Sequence, residues 1–231
     1  MKEIINHIQN NKQTYIEELK DFLRIPSIST LSENKKDVAD CAEFVSENLK
    51  KIGLNRVEIF KTEGHPIVYG EWLGAPGKPT ILVYGHYDVQ PVDPIELWNS
   101  PPFEPTIKNG KIFARGATDD KGQVFMHFKS VEAFFKNEGS LPVNIKYIIE
   151  GEEEIGSENL NVFLKNNTDL LKCDVVLISD SSLYGPGIPT LTYALRGLAY
   201  LEVEMIGPNR DLHSGSFGGS VANPINKMAQ L

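Results

Sequence analysis

Apolar residues recur every three or four positions through MKEIINHIQNNKQTYIEELKDFL and again through KKDVADCAEFVSENLKKIG, the spacing of amphipathic helices. The first is predicted to run to about Leu23. The second stops at Gly53, a residue free to adopt the left-handed backbone that ends helices. Between them IPSIS reads as a turn. The period then changes: RVEIF, PIVYGEWL and PTILVYGH are short apolar runs bounded by Gly, Pro or polar residues, which predicts three strands.

WNSPPFEP is too rich in proline for regular structure, and TIKNGKIFARG predicts a hairpin turning at Asn109 and Gly110. A helix over KGQVFMHFKSVEAFFKNEG, a strand ending at Glu150, a helix over SENLNVFLKNN and a strand over CDVVLISD follow in turn. Helices alternating with buried strands predict an α/β fold, with a mostly parallel mixed sheet covered by helices on both faces. After Asp180 the character shifts. SSLYGPGIP has the composition of a crossing between domains, TLTYALRGLAYLEVEMIG alternates like a strand with one exposed face, and SVANPINKMAQL begins a helix.

Composition narrows the function classes. The chain has 231 residues, is 41% hydrophobic and carries a net charge of -8 with no Lys/Arg-rich run, which argues against nucleic acid or an anionic membrane as partner and for small cations. The opening helix is interrupted by charges and lacks the core of a signal peptide, and no apolar run is long enough to span a bilayer. The two cysteines, Cys41 and Cys173, fit as small buried residues and not as a disulfide framework. A cytoplasmic location is the expectation.

The chemistry gathers where strands end. GHYDVQP offers His86 and Asp88, ATDDKG offers Asp119 and Asp120, EGEEEIGS offers Glu152, Glu153 and Glu154, and LISD offers Asp180. Imidazole nitrogen and carboxylate oxygen are the donors of a hydrolytic zinc site, which keeps a position open for water. His86 and Asp88 are two apart on an extended segment and face one side, so the Asp88 carboxylate is expected to accept a hydrogen bond from the imidazole and fix its tautomer. Asp119 and Asp120 precede a helix, where one can cap it while the other binds metal. Of adjacent glutamates, one can ligate metal while its neighbour takes a proton from water; spacing alone does not say which.

GHYDVQP, GATDDKG, EGEEEIGS, ISD and DLHSG, in this order and spacing, resemble the carnosinase-type dipeptidase branch of the dinuclear zinc exopeptidases, relatives of aminoacylase and glutamate carboxypeptidase. The likeness extends over essentially the whole chain. It implies the N-terminal part of a metallopeptidase catalytic domain over residues 1–189 and the beginning of an inserted α+β lid and dimerisation domain over 190–231. It also implies two divalent ions, zinc first, with manganese or cobalt as alternatives. His86, Asp119 and Asp180 would hold one ion, and Asp119 would bridge to a second held by Glu154. Glu153 becomes the general base, and Glu152 is left without a role. His213, in DLHSG, matches a lid histidine that stabilises the oxyanion and is often supplied by a partner subunit. The resemblance further implies a non-proline cis peptide between Asp119 and Asp120.

The implied reaction is hydrolysis of dipeptides or short peptides by a metal-activated water, in an enzyme that forms a homodimer through its lid. Removal of acyl groups from amino acids is the alternative within the family. A fragment without activity, acting as a metal-binding or interaction module, is the alternative outside it. Family members are roughly twice this long, as two-domain proteins are. Their further half would supply a histidine to the second metal, and none of the five histidines here matches it. As written, the chain is therefore expected to hold the first site alone, to catalyse poorly, and to expose apolar surface where the lid helix stops.

Overall fold

The opening periodicity is realised as two helices, as a computed structural model covering residues 1–231 shows. Helices α1 (Lys2–Asn10) and α2 (Lys12–Leu23) meet at Asn11. Its side-chain amide donates to the His7 carbonyl at 2.8 Å, an asparagine competing with the backbone for a helical acceptor. Helix α3 (Lys35–Lys51) follows, and Gly53 ends it with φ of 106°. Then come β1 (Arg56–Phe60), β2 (Ile67–Trp72) and β3 (Thr80–His86). The hairpin β4 (Thr106–Lys108) and β5 (Lys111–Phe113) turns at Asn109 and Gly110, both left-handed at φ 53° and 72°, as an Asn-Gly turn requires. Helix α4 (Lys121–Glu138), β6 (Asn144–Glu150), α5 (Glu158–Asn166) and β7 (Val175–Ile178) complete the expected alternation.

Five strands form one mixed sheet in the order β1-β2-β6-β3-β7. The β6–β3 and β3–β7 pairings are parallel and the other two antiparallel, so β2 alone runs against the rest. Side chains alternate between faces as the strand period demands. Val68, Val83, Tyr147 and Ile149 pack with Val45 and Leu49 of α3 and Val124 and Phe128 of α4. Their neighbours Ile67, Tyr69, Leu82 and Ile148 pack on the opposite face with Phe163 of α5 and Leu171. The central strands are thus buried on both sides, while on the edge strand β7 Val176 and Ile178 stay 54% and 58% exposed. Cys41 is buried and Cys173 half-buried, and both are free thiols.

The chain divides into two compact units, Met1–Ser182 and Leu183–Leu231, within the Gly/Pro/Ser-rich stretch. The second contains two short helices, α6 (Ser214–Phe217) and α7 (Pro224–Met228), the latter where SVANPINKMAQL predicts one. Its alternating segment, residues 190–207, does not form the predicted strand. A strand exists by exchanging N–H and C=O bonds with a neighbour, and this unit offers it none. Leu191, Tyr193, Leu195 and Leu201 accordingly remain exposed along it.

Candidate metal centre

Parallel pairing brings strand ends together, and in sheets of this kind ligand sites form at carboxyl ends. β3 finishes at His86, which lies in register with Glu150 at the end of β6. β7 pairs with β3 up to Tyr84 opposite Ile178, so the same register carried two residues further sets Asp180 level with His86. Asp119 arrives from the loop before α4. His86 Nε2 is 3.1 Å from Asp119 Oδ1 and 3.7 Å from Asp180 Oδ2, and one donor atom from each of the three residues lies within 4.8 Å of the others. No helix of the protein is long and apolar enough to cross a membrane.

Buried groups hold this arrangement from beneath. His86 and Asp88 are fully buried. The imidazole Nδ1 lies 3.1 Å from the Asp88 backbone carbonyl and 3.4 Å from the Asp88 carboxylate expected to pair with it. That carboxylate also accepts from the backbone N–H groups of Glu153 (3.2 Å) and Glu154 (3.1 Å). Asp88 therefore ties the turn that carries both glutamates to the end of β3.

The Asp119–Asp120 peptide is cis. Asp120 occupies the first position before α4, where a capping side chain was expected, but its carboxylate does not cap the helix. It accepts instead from the His86 backbone N–H at 3.2 Å. Gly85 permits that approach: a Cβ there would stand 2.4 Å from a Val124 methyl and 2.8 Å from Asp120 Oδ2. Burial, with Asp180 and Asp119 nearby, pushes the Asp120 carboxyl up to about 7 despite the opposing pull of His86. Burial also works against a charge on His86, yet Asp88, Asp120 and Asp180 together outweigh it and raise the imidazole to about 10. The pocket favours positive charge.

The three glutamates stand in different surroundings. Glu153 and Glu154 sit on a short turn, Glu153–Ile155, with Glu154 Oε2 accepting from Gln90 Nε2 at 2.7 Å; neither belongs to the three-residue donor group. Burial raises both carboxyls, Asp180 adding to this at Glu153 and Asp119 at Glu154. Glu152, left without a role by its sequence, is buried and fully engaged. Its Oε1 accepts from the His65 backbone N–H at 2.8 Å and its Oε2 from the Asn159 side chain at 2.9 Å, joining the loop before β2 to the start of α5. Glu150 was also missed. It is buried, accepts from the Tyr84 hydroxyl (2.6 Å) and the Ser157 hydroxyl (2.9 Å) on Oε1, and its Oε2 has no partner. His213 belongs to the second unit, where it precedes α6 and its Nδ1 accepts from the Gly215 N–H at 3.1 Å.

Comparison with known proteins agrees with this geometry. Residues 82–207 match the profile of peptidase family M20/M25/M40. The Cys-Gly metallodipeptidase dug1 of Schizosaccharomyces pombe is 35% identical over 97% of this chain and 50% of its own length. The Beta-Ala-His dipeptidase of Homo sapiens is 31% identical over 100% of this chain and 48% of its own length. Among solved structures, the dipeptidase Dug1p of Saccharomyces cerevisiae superposes with a TM-score of 0.80 at 32% identity, over 99% of this chain and 51% of that one. The chain spans about half the length of the relatives it matches.

Proposed function

This chain belongs to peptidase family M20/M25/M40, and from that premise we propose that it carries the first metal site and the general base of an enzyme that hydrolyses dipeptides or short peptides. The observation that carries the reading is the convergence of His86, Asp119 and Asp180 at the ends of parallel strands, beside a turn bearing Glu153. An imidazole and two carboxylates suit zinc, and also manganese or cobalt. The cation that the pocket favours as a proton on His86 is one a divalent ion would replace. Such an ion, when bound, supplies Lewis acidity and lowers the pKa of a water.

The chain's own groups do the rest. Asp88 fixes the Glu153 backbone, and the Glu153 carboxylate takes a proton from the attacking water and returns it to the leaving amine. A carboxyl raised by partial burial is better matched to that exchange than an exposed one. Glu154 faces the same region and would serve a second ion together with a donor outside this chain. Residues 1–189 form part of the catalytic domain on this reading, and residues 190–231 begin a lid through which the enzyme dimerises. His213 of the lid would stabilise the oxyanion. The enzyme works in the cytoplasm, and its relatives' names suggest Cys-Gly and β-Ala-His as first substrates to try.

The test pairs zinc content with hydrolysis of those two dipeptides. One zinc per chain is expected, lost in Asp119→Ala. Glu153→Gln should keep the zinc and lower any hydrolysis by about 10²–10⁴-fold, the usual contribution of a general base. Hydrolysis that survives Glu153→Gln unchanged would sink this assignment, and two tightly held zinc ions per chain would contradict the single complete site. His213→Ala in a complete, active enzyme should cut turnover with the metal content unaltered.

A further inference from the structure

The three donors are not braced alike. His86 is the buried end of a central strand, and Asp120 holds its backbone N–H. Asp119 is joined directly to that same buried Asp120. Asp180 has no such neighbour on its own strand. β7 is an edge strand whose pairing with β3 ends at Ile178, two residues earlier. Of all side-chain hydrogen bonds, one reaches residues 179–182: His127 Nε2 to Ser179 Oγ, at 2.7 Å.

We infer that His127 is a positioning residue for the metal centre, fixing Asp180 through the hydroxyl of Ser179. The inference rests on the metal-site reading above. His127 lies seven residues after Asp120 on α4, two helical turns. The helix that begins at the Asp119–Asp120 loop therefore reaches along itself to hold the chain that presents Asp180. The Tyr147 hydroxyl of β6 donates to the His127 carbonyl at 3.3 Å and seats that turn of the helix against the sheet. Burial lowers the His127 pKa, so the ring is neutral and offers one donor and one acceptor nitrogen; either can pair with a hydroxyl. A single residue separates the bonded hydroxyl from the ligand. Freeing Ser179 would leave Asp180 to be ordered by the metal itself, at an entropic cost to binding.

Zinc titration calorimetry on the 231-residue chain tests this. His127→Ala and Ser179→Ala are each expected to raise the zinc Kd about tenfold, the lower end of what supporting groups contribute. The double variant should bind no more weakly than either single one, since both remove the same bond. His127→Gln, whose amide can reach Ser179, should restore most of the affinity. Thermal unfolding without zinc is measured alongside, because Ser179 is only half-buried and its variant should fold. Unchanged Kd values, with or without a lower Tm, would overturn the inference, as would a double variant whose loss is the product of the two. A wild-type chain that binds no zinc would overturn the metal reading as well; zinc binding indifferent to both substitutions would overturn this proposal alone.

Discussion

His86 and Asp180 stand level across the β3–β7 pair, yet the protein secures them by opposite means. His86 has no exposed surface and is held by the interior: two parallel neighbours for its strand, Asp120 on its backbone and Asp88 on its ring. The Asp180 side chain is 30% exposed, beyond the end of an edge strand with half-bare flanks. On the metal-site proposal, such a site would have a firmly held half at His86 and a more loosely held half at Asp180. The difference follows from position in the sheet, since a central strand is covered twice and an edge strand once.

The firmly held half should be the more sensitive to loss of its supports. Asp120→Ala removes the acceptor from the His86 N–H and the anchor of Asp119 together, so the zinc Kd is expected to rise about 10–100-fold. That exceeds the effect expected at Ser179, which supports one donor. Calorimetric titrations of the two variants side by side check the ranking. Equal losses would mean that the edge is as firmly built as the centre, and an Asp120 variant with wild-type affinity would remove the distinction altogether.

Glu152 and Glu153 sharpen the same contrast within one turn. Glu152→Ala strips the acceptor from the His65 N–H and from Asn159, and leaving such donors without partners costs about 1–3 kcal/mol of unfolding free energy. Zinc affinity should not change. Urea denaturation checks the first statement and a zinc titration the second. A variant of wild-type stability would return Glu152 to the incidental status its sequence suggests.

That misreading shows where sequence is legible and where it is not. The strands β1 to β7, the Asn-Gly hairpin, α3, α4 and the grouping of His86, Asp119 and Asp180 were readable because each is written locally, in a period, a turn dipeptide or a motif. The supports were not. Asp120 to His86 spans 34 residues, His65 to Glu152 spans 87 and His127 to Ser179 spans 52, and no spacing rule connects such pairs before the fold does. Glu152 looked redundant because three glutamates in a row are chemically alike until burial separates them. The segment 190–207 failed for the converse reason: its alternation is local and clear, but a strand also needs a partner, which periodicity cannot report.

The smallest effect belongs to the edge of the sheet, where a pair of identical substitutions isolates position from chemistry. Val83 lies on β3, 1% exposed between α3 and α4, and Val176 on the neighbouring β7 is 54% exposed. Val83→Ala removes two methyl groups from close packing and is expected to cost about 2 kcal/mol, their transfer energy plus a cavity. Val176→Ala removes the same groups from a surface already half in water and should stay within about 0.5 kcal/mol. Both are read from the midpoint of urea unfolding at constant slope. If Val176→Ala proved as costly as Val83→Ala, β7 would be covered in solution, and Asp180 would owe its position to that cover as much as to His127.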